Sequence, residues 1–110
     1  MKLITKAIEK KVPALYEQDG KGMEAVAYAK YFYPLGHATW FMTEYDPETE
    51  TAFGWSELSA GCGELGYFSL AELKNFTGSY GVKIERDLHF TPKTLAEAVS
   101  EFTARYKKTA

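Results

Sequence analysis

The stretch ATWFMTEYDPETETAFGWSEL, residues 38–58, decides the fold. It holds two runs rich in aromatic residues, which favour strands, on either side of the turn sequence DPETE. Asp46 can bond its own backbone within the turn, and Pro47 has the φ that the second turn position needs. A third aromatic run, EAVAYAKYFYP at residues 24–34, lies just upstream. The sequence therefore predicts three neighbouring strands in an antiparallel meander.

The next stretch, ELGYFSLAEL at residues 64–73, predicts a joint between a strand and a helix. Ser69 suits the N-cap of the helix, and Glu72 stands where the partner residue of a capping box is found. Phe68 and Leu73 have the spacing of a hydrophobic staple across that cap. Glycines two residues to either side, which a nucleophile elbow requires, are absent. We therefore interpret Ser69 as a cap and not as a catalytic nucleophile.

The two ends of the chain complete the predicted fold. GVKIERDLHF, residues 81–90, alternates apolar and polar residues as a half-buried strand does. Thr91-Pro92 suits the start of a last helix. A first helix is predicted by apolar residues at helical spacing, namely Ile4, Ala7, Ile8, Val12 and Leu15. We expect a single α+β domain over residues 1–110, with an antiparallel sheet of about four to five strands and helices packed on one face.

Composition excludes several classes of protein. The chain has 110 residues, of which 45% are hydrophobic and 25% charged, the usual range of a globular domain. Its net charge of -2 lacks the basic surplus of proteins that wrap duplex DNA. Cys62 is the one cysteine, so no intrachain disulfide can form. No stretch approaches the roughly 20 apolar residues of a membrane span. We expect a cytoplasmic protein that does not contact a membrane.

Two groups of residues could carry chemistry. Glu85, Asp87 and His89 alternate along one predicted strand face and could meet a metal together with His37 or Glu64. A solvated polar face explains the same alternation, and we prefer it. Cys62 could form a thiol pair with His37 or with His89, although the glycines around it suit a turn equally well. We therefore predict no catalytic residue, no metal and no cofactor.

The aromatic residues offer a binding surface instead. Rings crowd the three meander strands more densely than one core face requires, so at least two of a group of four should be exposed and adjacent. The four residues are Tyr31, Tyr33, Trp40 and Trp55, and Tyr67 is added as a further candidate contact. Such a surface could anchor a protein partner or stack the bases of single-stranded nucleic acid. The alternative is that strands are rich in these residues for packing alone.

Arg86 is the last candidate, because it lies between Ile84 and Leu88 on the predicted apolar face of its strand. A buried guanidinium must be paired, and a carboxylate suits its planar fork. The nearby acids are Glu44, Glu57 and Glu64, of which we choose Glu64. The rival interpretation is that Arg86 holds an anionic ligand or a carboxylate of a partner protein.

The chain resembles the bacterial DUF2958 family, a domain of unknown function. The resemblance lies in several segments whose order and spacing agree over nearly the whole chain: KLITKAIEKKVPALY, AKYFYP, TWFMTE, AFGW, ELGYFSLAEL and GVKIERDLHFTPKTLAE. It implies a setting on plasmids, integrative elements or phages, where neighbouring proteins often serve replication, DNA transfer or anti-defence.

From this setting and the residues together we predict a small non-enzymatic interaction protein. It would bind a protein partner of host defence, as an anti-CRISPR or anti-restriction protein does, or of the DNA-transfer machinery. The alternative is a module that binds single-stranded nucleic acid on an aromatic sheet face. An enzyme ranks third.

Overall fold

The computed structural model describes residues 1–109, with side chains as far as Arg105. The three helices and seven strands are α1 (Lys6–Lys11), β1 (Val26–Ala27), β2 (Ala29–Phe32), β3 (Thr39–Asp46), β4 (Thr51–Glu57), β5 (Glu64–Ser69), α2 (Leu70–Asn75), β6 (Glu85–Arg86), β7 (Lys93–Thr94) and α3 (Leu95–Thr109). Short 3₁₀ turns occupy Gly22–Glu24 and Ser79–Gly81.

The main sheet has five antiparallel strands in the order β5-β4-β3-β2-β6, and β1 and β7 form a separate antiparallel pair. The α+β class and the antiparallel meander are thus confirmed. The predicted turn is present, since Asp46 Oδ1 accepts a hydrogen bond from the Glu48 N–H at 3.0 Å. The central strand β3 is buried along almost its whole length.

The helices cover both faces of the main sheet, so the predicted packing on one face is wrong. On one face, which we call the α1–α2 face, Trp40 and Met42 are buried against residues of α1 and α2. On the other face, which we call the α3 face, Phe41 and Trp55 are buried against Leu95 and Ala98 of α3. The reason is that the central strand β3 carries large apolar side chains on both faces, and each face must be kept from water.

The predicted strand at residues 81–90 is reduced to β6, two residues long. Asp87 ends it, because its Oδ1 accepts a hydrogen bond from the His89 N–H at 2.9 Å and turns the chain. Ile84 is buried as predicted, but Leu88 is 62% exposed. The apolar face proposed for this segment is therefore wrong at Leu88.

The predicted joint between strand and helix is confirmed. Ser69 ends β5 in an extended conformation, and its Oγ accepts a hydrogen bond from the Glu72 N–H at 3.1 Å. Leu70 and Leu73 of α2 are buried on the α1–α2 face, and Phe68 packs against the same core. The hydroxyl of Ser69 thus satisfies an N–H that the first turn of a helix leaves unpaired.

Candidate functional site

The predicted aromatic surface does not form, because most of its rings are core. Tyr31, Trp40 and Trp55 are 0%, 9% and 7% exposed. Tyr33 is half-buried and packs edge-to-face on Phe76, with 5.4 Å between ring centroids. The prediction of two exposed, adjacent rings among the four is therefore wrong. Two covered sheet faces need twice the apolar material that one face would, and these rings supply it.

The predicted Arg86–Glu64 pair is also wrong. Glu64 begins β5 and Arg86 ends β6, and these strands are the opposite edges of the sheet. Arg86 is half-buried beside Tyr31, its partner in register, and its Nε donates to the Lys2 carbonyl oxygen at 3.1 Å. The position is a rim of the sheet, where a guanidinium keeps contact with water.

The two other acids considered for Arg86 have different partners. Glu44 is buried and accepts hydrogen bonds from the backbone N–H groups of Tyr16 and Gln18, at 2.9 and 2.6 Å. Glu57 is paired with His37, with 2.5 Å between Oε2 and Nε2.

The polar row Glu85, Asp87 and His89 does not gather into a cluster of ligands. In the part of the chain that the structure describes, no three His, Cys, Asp or Glu side chains gather as metal ligands would. Asp87 forms an ion pair with Lys30 at 3.9 Å, and His89 is exposed. Cys62 is exposed in the loop between β4 and β5. The Nε2 of His37 is engaged by Glu57 and not by a thiol.

An exposed apolar surface lies instead at the β5 edge of the sheet. Leu65 and Tyr67 are 41% and 57% exposed, and both point to the α3 face because they lie opposite Trp55 and Phe53. Tyr67 packs on Phe53 at 4.9 Å between ring centroids. Hydrogen bonding to the Tyr16 side chain raises the pKa of the Tyr67 hydroxyl. We call Tyr16, Phe53, Leu65 and Tyr67 the edge surface.

Tyr16 is held in the edge surface by the buried Glu44. Its φ of 75° lies in the left-handed region, which is uncommon for a bulky residue and needs support from its surroundings. The hydrogen bonds from Tyr16 N–H and Gln18 N–H to the two Glu44 oxygens provide that support. Tyr16 is nevertheless 68% exposed, so the fold holds an aromatic ring towards solvent.

A cleft of about 770 Å³ lies at the opposite edge of the sheet from β5, between α3 and the β2–β6 edge. Lys30 lies in its wall with a side chain only 14% exposed, 5.8 and 5.7 Å from the ring centroids of Phe41 and Phe102. Burial lowers the pKa of Lys30, an effect that Asp87 partly offsets. His37 and Phe102 also line the cleft, with 5.3 Å between their ring centroids.

Comparison with known proteins decides the family. Residues 3–108 match the family described as "Protein of unknown function (DUF2958)". The chain belongs to the DUF2958 family. No curated protein and no solved structure matches this DUF2958 chain. Of the helices that the structure describes, none combines the length and the apolar character needed to cross a bilayer.

Sequence reasoning singled out Tyr67 and Arg86 in this DUF2958 protein but missed Leu65, Tyr16 and the setting of Lys30. A signal for Leu65 was present, because β5 has a single charged residue, Glu64, at its start. Edge strands are commonly protected by charges, proline or bulges, and ELGYFS has little of that protection. Tyr16 and Lys30 had no such signal, since their neighbours come from distant parts of the chain.

Proposed function

We propose that this DUF2958 protein is a non-enzymatic interaction protein that takes up an extended segment of a partner protein alongside β5. The observation that supports it is the open edge of β5, a six-residue strand that pairs only with β4 among the described strands. Adding a strand to an exposed sheet edge is a common mode of peptide recognition, in which main-chain hydrogen bonds provide affinity.

The register of β5 leaves the required backbone groups free. The Leu70 N–H donates to the Glu50 carbonyl oxygen at 2.9 Å, in line with the ladder between β4 and β5. Hydrogen-bonded and non-hydrogen-bonded pairs alternate along an antiparallel ladder. Gly66 and Phe68 therefore bond to β4, whereas Leu65 and Tyr67 direct their N–H and C=O groups to the open side.

The side chains around β5 can provide specificity. A pocket of about 300 Å³ opens beside the edge on the α3 face, lined in part by Phe53, Leu65 and Leu95. An apolar side chain of the added segment can enter this pocket while its backbone pairs with β5. The exposed rings of Tyr16 and Tyr67 are residues of the kind enriched at the centre of protein interfaces.

The opposite edge of the sheet is less suited to strand addition. β6 has two residues, and the Arg86 N–H already donates to the Met1 sulfur at 3.1 Å. A partner segment would find few free backbone groups there. The difference between the edges directs a single added strand to β5.

The proposed setting follows from family resemblance. A cytoplasmic protein of a plasmid, integrative element or phage would use this edge on a component of host defence, as an anti-CRISPR or anti-restriction protein, or on the DNA-transfer machinery. The burial of Tyr31, Trp40 and Trp55 removes the ring platform that stacking of single-stranded nucleic acid on the sheet would need. A protein partner is therefore the function that we propose.

Affinity capture from host lysate with and without nuclease, using wild type and two variants, tests this proposal. Leu65→Pro removes an outward N–H and obstructs an added strand without removing a bond to β4. Leu65→Thr is the matched control, because it keeps the N–H and a strand-forming side chain. We expect wild type and Leu65→Thr to capture the same protein, with and without nuclease. Leu65→Pro should not capture it, although its melting temperature should equal that of wild type.

Two results would contradict the proposal. Capture that is equal for the Leu65→Pro and wild-type proteins would exclude β5 as the binding edge. A wild-type dimer in analytical ultracentrifugation that Leu65→Pro converts to monomer would show that the edge pairs with a second copy instead.

A further inference from the structure

The cleft between α3 and the β2–β6 edge lies away from the edge surface and has no part in strand addition. Its volume of about 770 Å³ is within the range of small-molecule sites. Its wall combines aromatic side chains with several charged groups, and the side chain of Lys30 is only 14% exposed. What the ammonium group of Lys30 contacts decides what the cleft can hold.

Lys30 is incompletely satisfied by the part of the chain that the structure describes. Its Nζ lies 3.9 Å from Asp87 Oδ2, and this distance allows an ion pair but is too long for a hydrogen bond. Across the described residues, none of its three N–H donors has a hydrogen-bond acceptor of its own. The adjacent Phe41 and Phe102 rings provide a cation–π attraction but accept no proton. A lysine side chain that is 14% exposed and whose ammonium has no hydrogen-bond acceptor among the described residues suits an incoming anion.

The other charges of the cleft favour the same sign of ligand. Three cations line it, Lys30, Arg86 and Arg105, against two acids, Glu85 and Asp87. The chain as a whole carries a net charge of -2, so the cleft departs from the rest of the molecule. An anion that enters would add the acceptor atoms that Lys30 lacks and offset the excess of positive charge.

The apolar part of the wall sets the shape of the ligand. Phe32, Tyr33 and Phe102 line the cleft and offer ring surface to a flat body. Stacking on aromatic rings is available to any planar group, a nucleobase or an indole equally. We propose that the cleft binds a small organic anion, whose phosphate or carboxylate reaches Lys30 while its flat body lies against Phe102.

Isothermal titration calorimetry with four probes tests the proposal. Adenosine 5′-monophosphate carries a base and a phosphate, indole-3-acetate carries a ring and a carboxylate, and adenosine and inorganic phosphate each carry one half. We expect measurable binding of at least one of the two complete anions, and weaker or no binding of the halves. Which complete anion binds more tightly distinguishes a phosphate source from a carboxylate source.

Variants locate the site. Lys30→Met keeps an apolar stem beside the two rings and removes the ammonium, so affinity for the complete anion should fall at least tenfold. Lys10→Met, an exposed lysine of α1, is the matched control and should leave affinity unchanged. Arg105→Gln alters an exposed side chain of the cleft and should also lower affinity. It provides a second test of the site if Lys30→Met folds poorly.

The proposal is overturned if neither complete anion binds the folded wild-type protein at millimolar concentration. It is also overturned if adenosine binds as tightly as its monophosphate and indole-3-acetate does not bind, because the anionic group would then contribute nothing. Equal binding by wild type, Lys30→Met and Arg105→Gln would place the ligand elsewhere. Because Leu65→Pro leaves the cleft untouched, binding of the anion should persist in that variant.

Discussion

His37 and Glu57 form a largely buried hydrogen-bonded pair, with 2.5 Å between Nε2 and Oε2 and side chains 13% and 11% exposed. The pair joins the loop after β2 to the end of β4, beside the Phe102 ring of α3. Glu57 Oε2 also lies 3.4 Å from the Gly61 N–H, so the carboxylate organises the loop that leads to β5.

Removing one member of this pair should destabilise the fold. His37→Ala leaves the Glu57 carboxylate buried with a weaker partner, and we expect a loss of about 1–3 kcal/mol in the free energy of unfolding. A double-mutant cycle with Glu57→Gln, followed by urea denaturation, measures the coupling. Additive effects of the two substitutions would show that the pair contributes nothing beyond its separate contacts.

The cap of α2 is the second test. Ser69→Ala should lower the free energy of unfolding by about 1 kcal/mol, because the Glu72 N–H loses its acceptor. Ser69→Asp supplies another acceptor and should be nearly neutral. Chemical denaturation measures both, and partner capture should persist in both. Loss of capture with Ser69→Asp at normal stability would restore a functional role for the hydroxyl.

Two glycines that lie opposite each other in the sheet provide a matched pair. A Cβ at Gly54 would overlap the Phe41 carbonyl oxygen on the neighbouring strand, whereas a Cβ at Gly66 would meet nothing within 4 Å. We expect Gly54→Ala to cost about 1–3 kcal/mol through displaced backbone. Gly66→Ala should be neutral or mildly stabilising. Thermal unfolding of the two variants measures the difference, and equal melting temperatures would contradict it.

Arg86 and Glu64 should behave independently. Glu64→Ala alters an exposed side chain and should change the free energy of unfolding by no more than about 0.5 kcal/mol. Arg86→Met removes one hydrogen bond to the Lys2 carbonyl and should cost about 1 kcal/mol. A double-mutant cycle should give no coupling. A coupling energy above about 1 kcal/mol would restore the ion pair across the sheet.

The ionisation of Lys30 is the last test. Burial lowers the Lys30 pKa from 10.5; Asp87 and Glu101 raise it, and Arg105 and Lys93 lower it further. Asp87→Asn should therefore lower this pKa more, and NMR titration of the Lys30 side chain measures the shift.

The sign of the linked stability follows from this pKa. Between the folded Lys30 pKa and 10.5 the unfolded chain binds more protons, so the contribution of Lys30 to stability rises with pH in that window. Lys30→Met should remove this rise. A pKa that increases in Asp87→Asn would contradict the assigned role of Asp87.

Local features of the fold were predictable because their partners are near in sequence. The Asp46 turn and the Ser69 cap each depend on hydrogen bonds that span two or three residues. The Glu64–Arg86 prediction failed because strand order determines distance across a sheet, and nothing near either residue encodes that order. The burial of Trp40 and Trp55 on opposite faces was missed for a similar reason: a second covered face becomes visible only when α3 is placed.

The candidate site was less predictable than the fold. Tyr67 was identified among many rings, but its exposure depends on β5 being an edge, which only the complete sheet shows. Lys30 lies on β2, while the Asp87 and Phe102 groups around it come from segments far along the chain. A cleft assembled from such distant segments leaves no periodic pattern in the sequence.

The strand order β5-β4-β3-β2-β6 also has a consequence for how the chain folds. The strands β2 to β5 each pair with their neighbours in sequence, so each new pairing closes a short loop. β6, in contrast, must return to β2 across about half of the chain. Short loops close at smaller entropic cost, and contacts of low sequence separation form faster. The β2–β5 meander should thus assemble first, with the open β5 edge exposed to other chains before the wall of the cleft is complete.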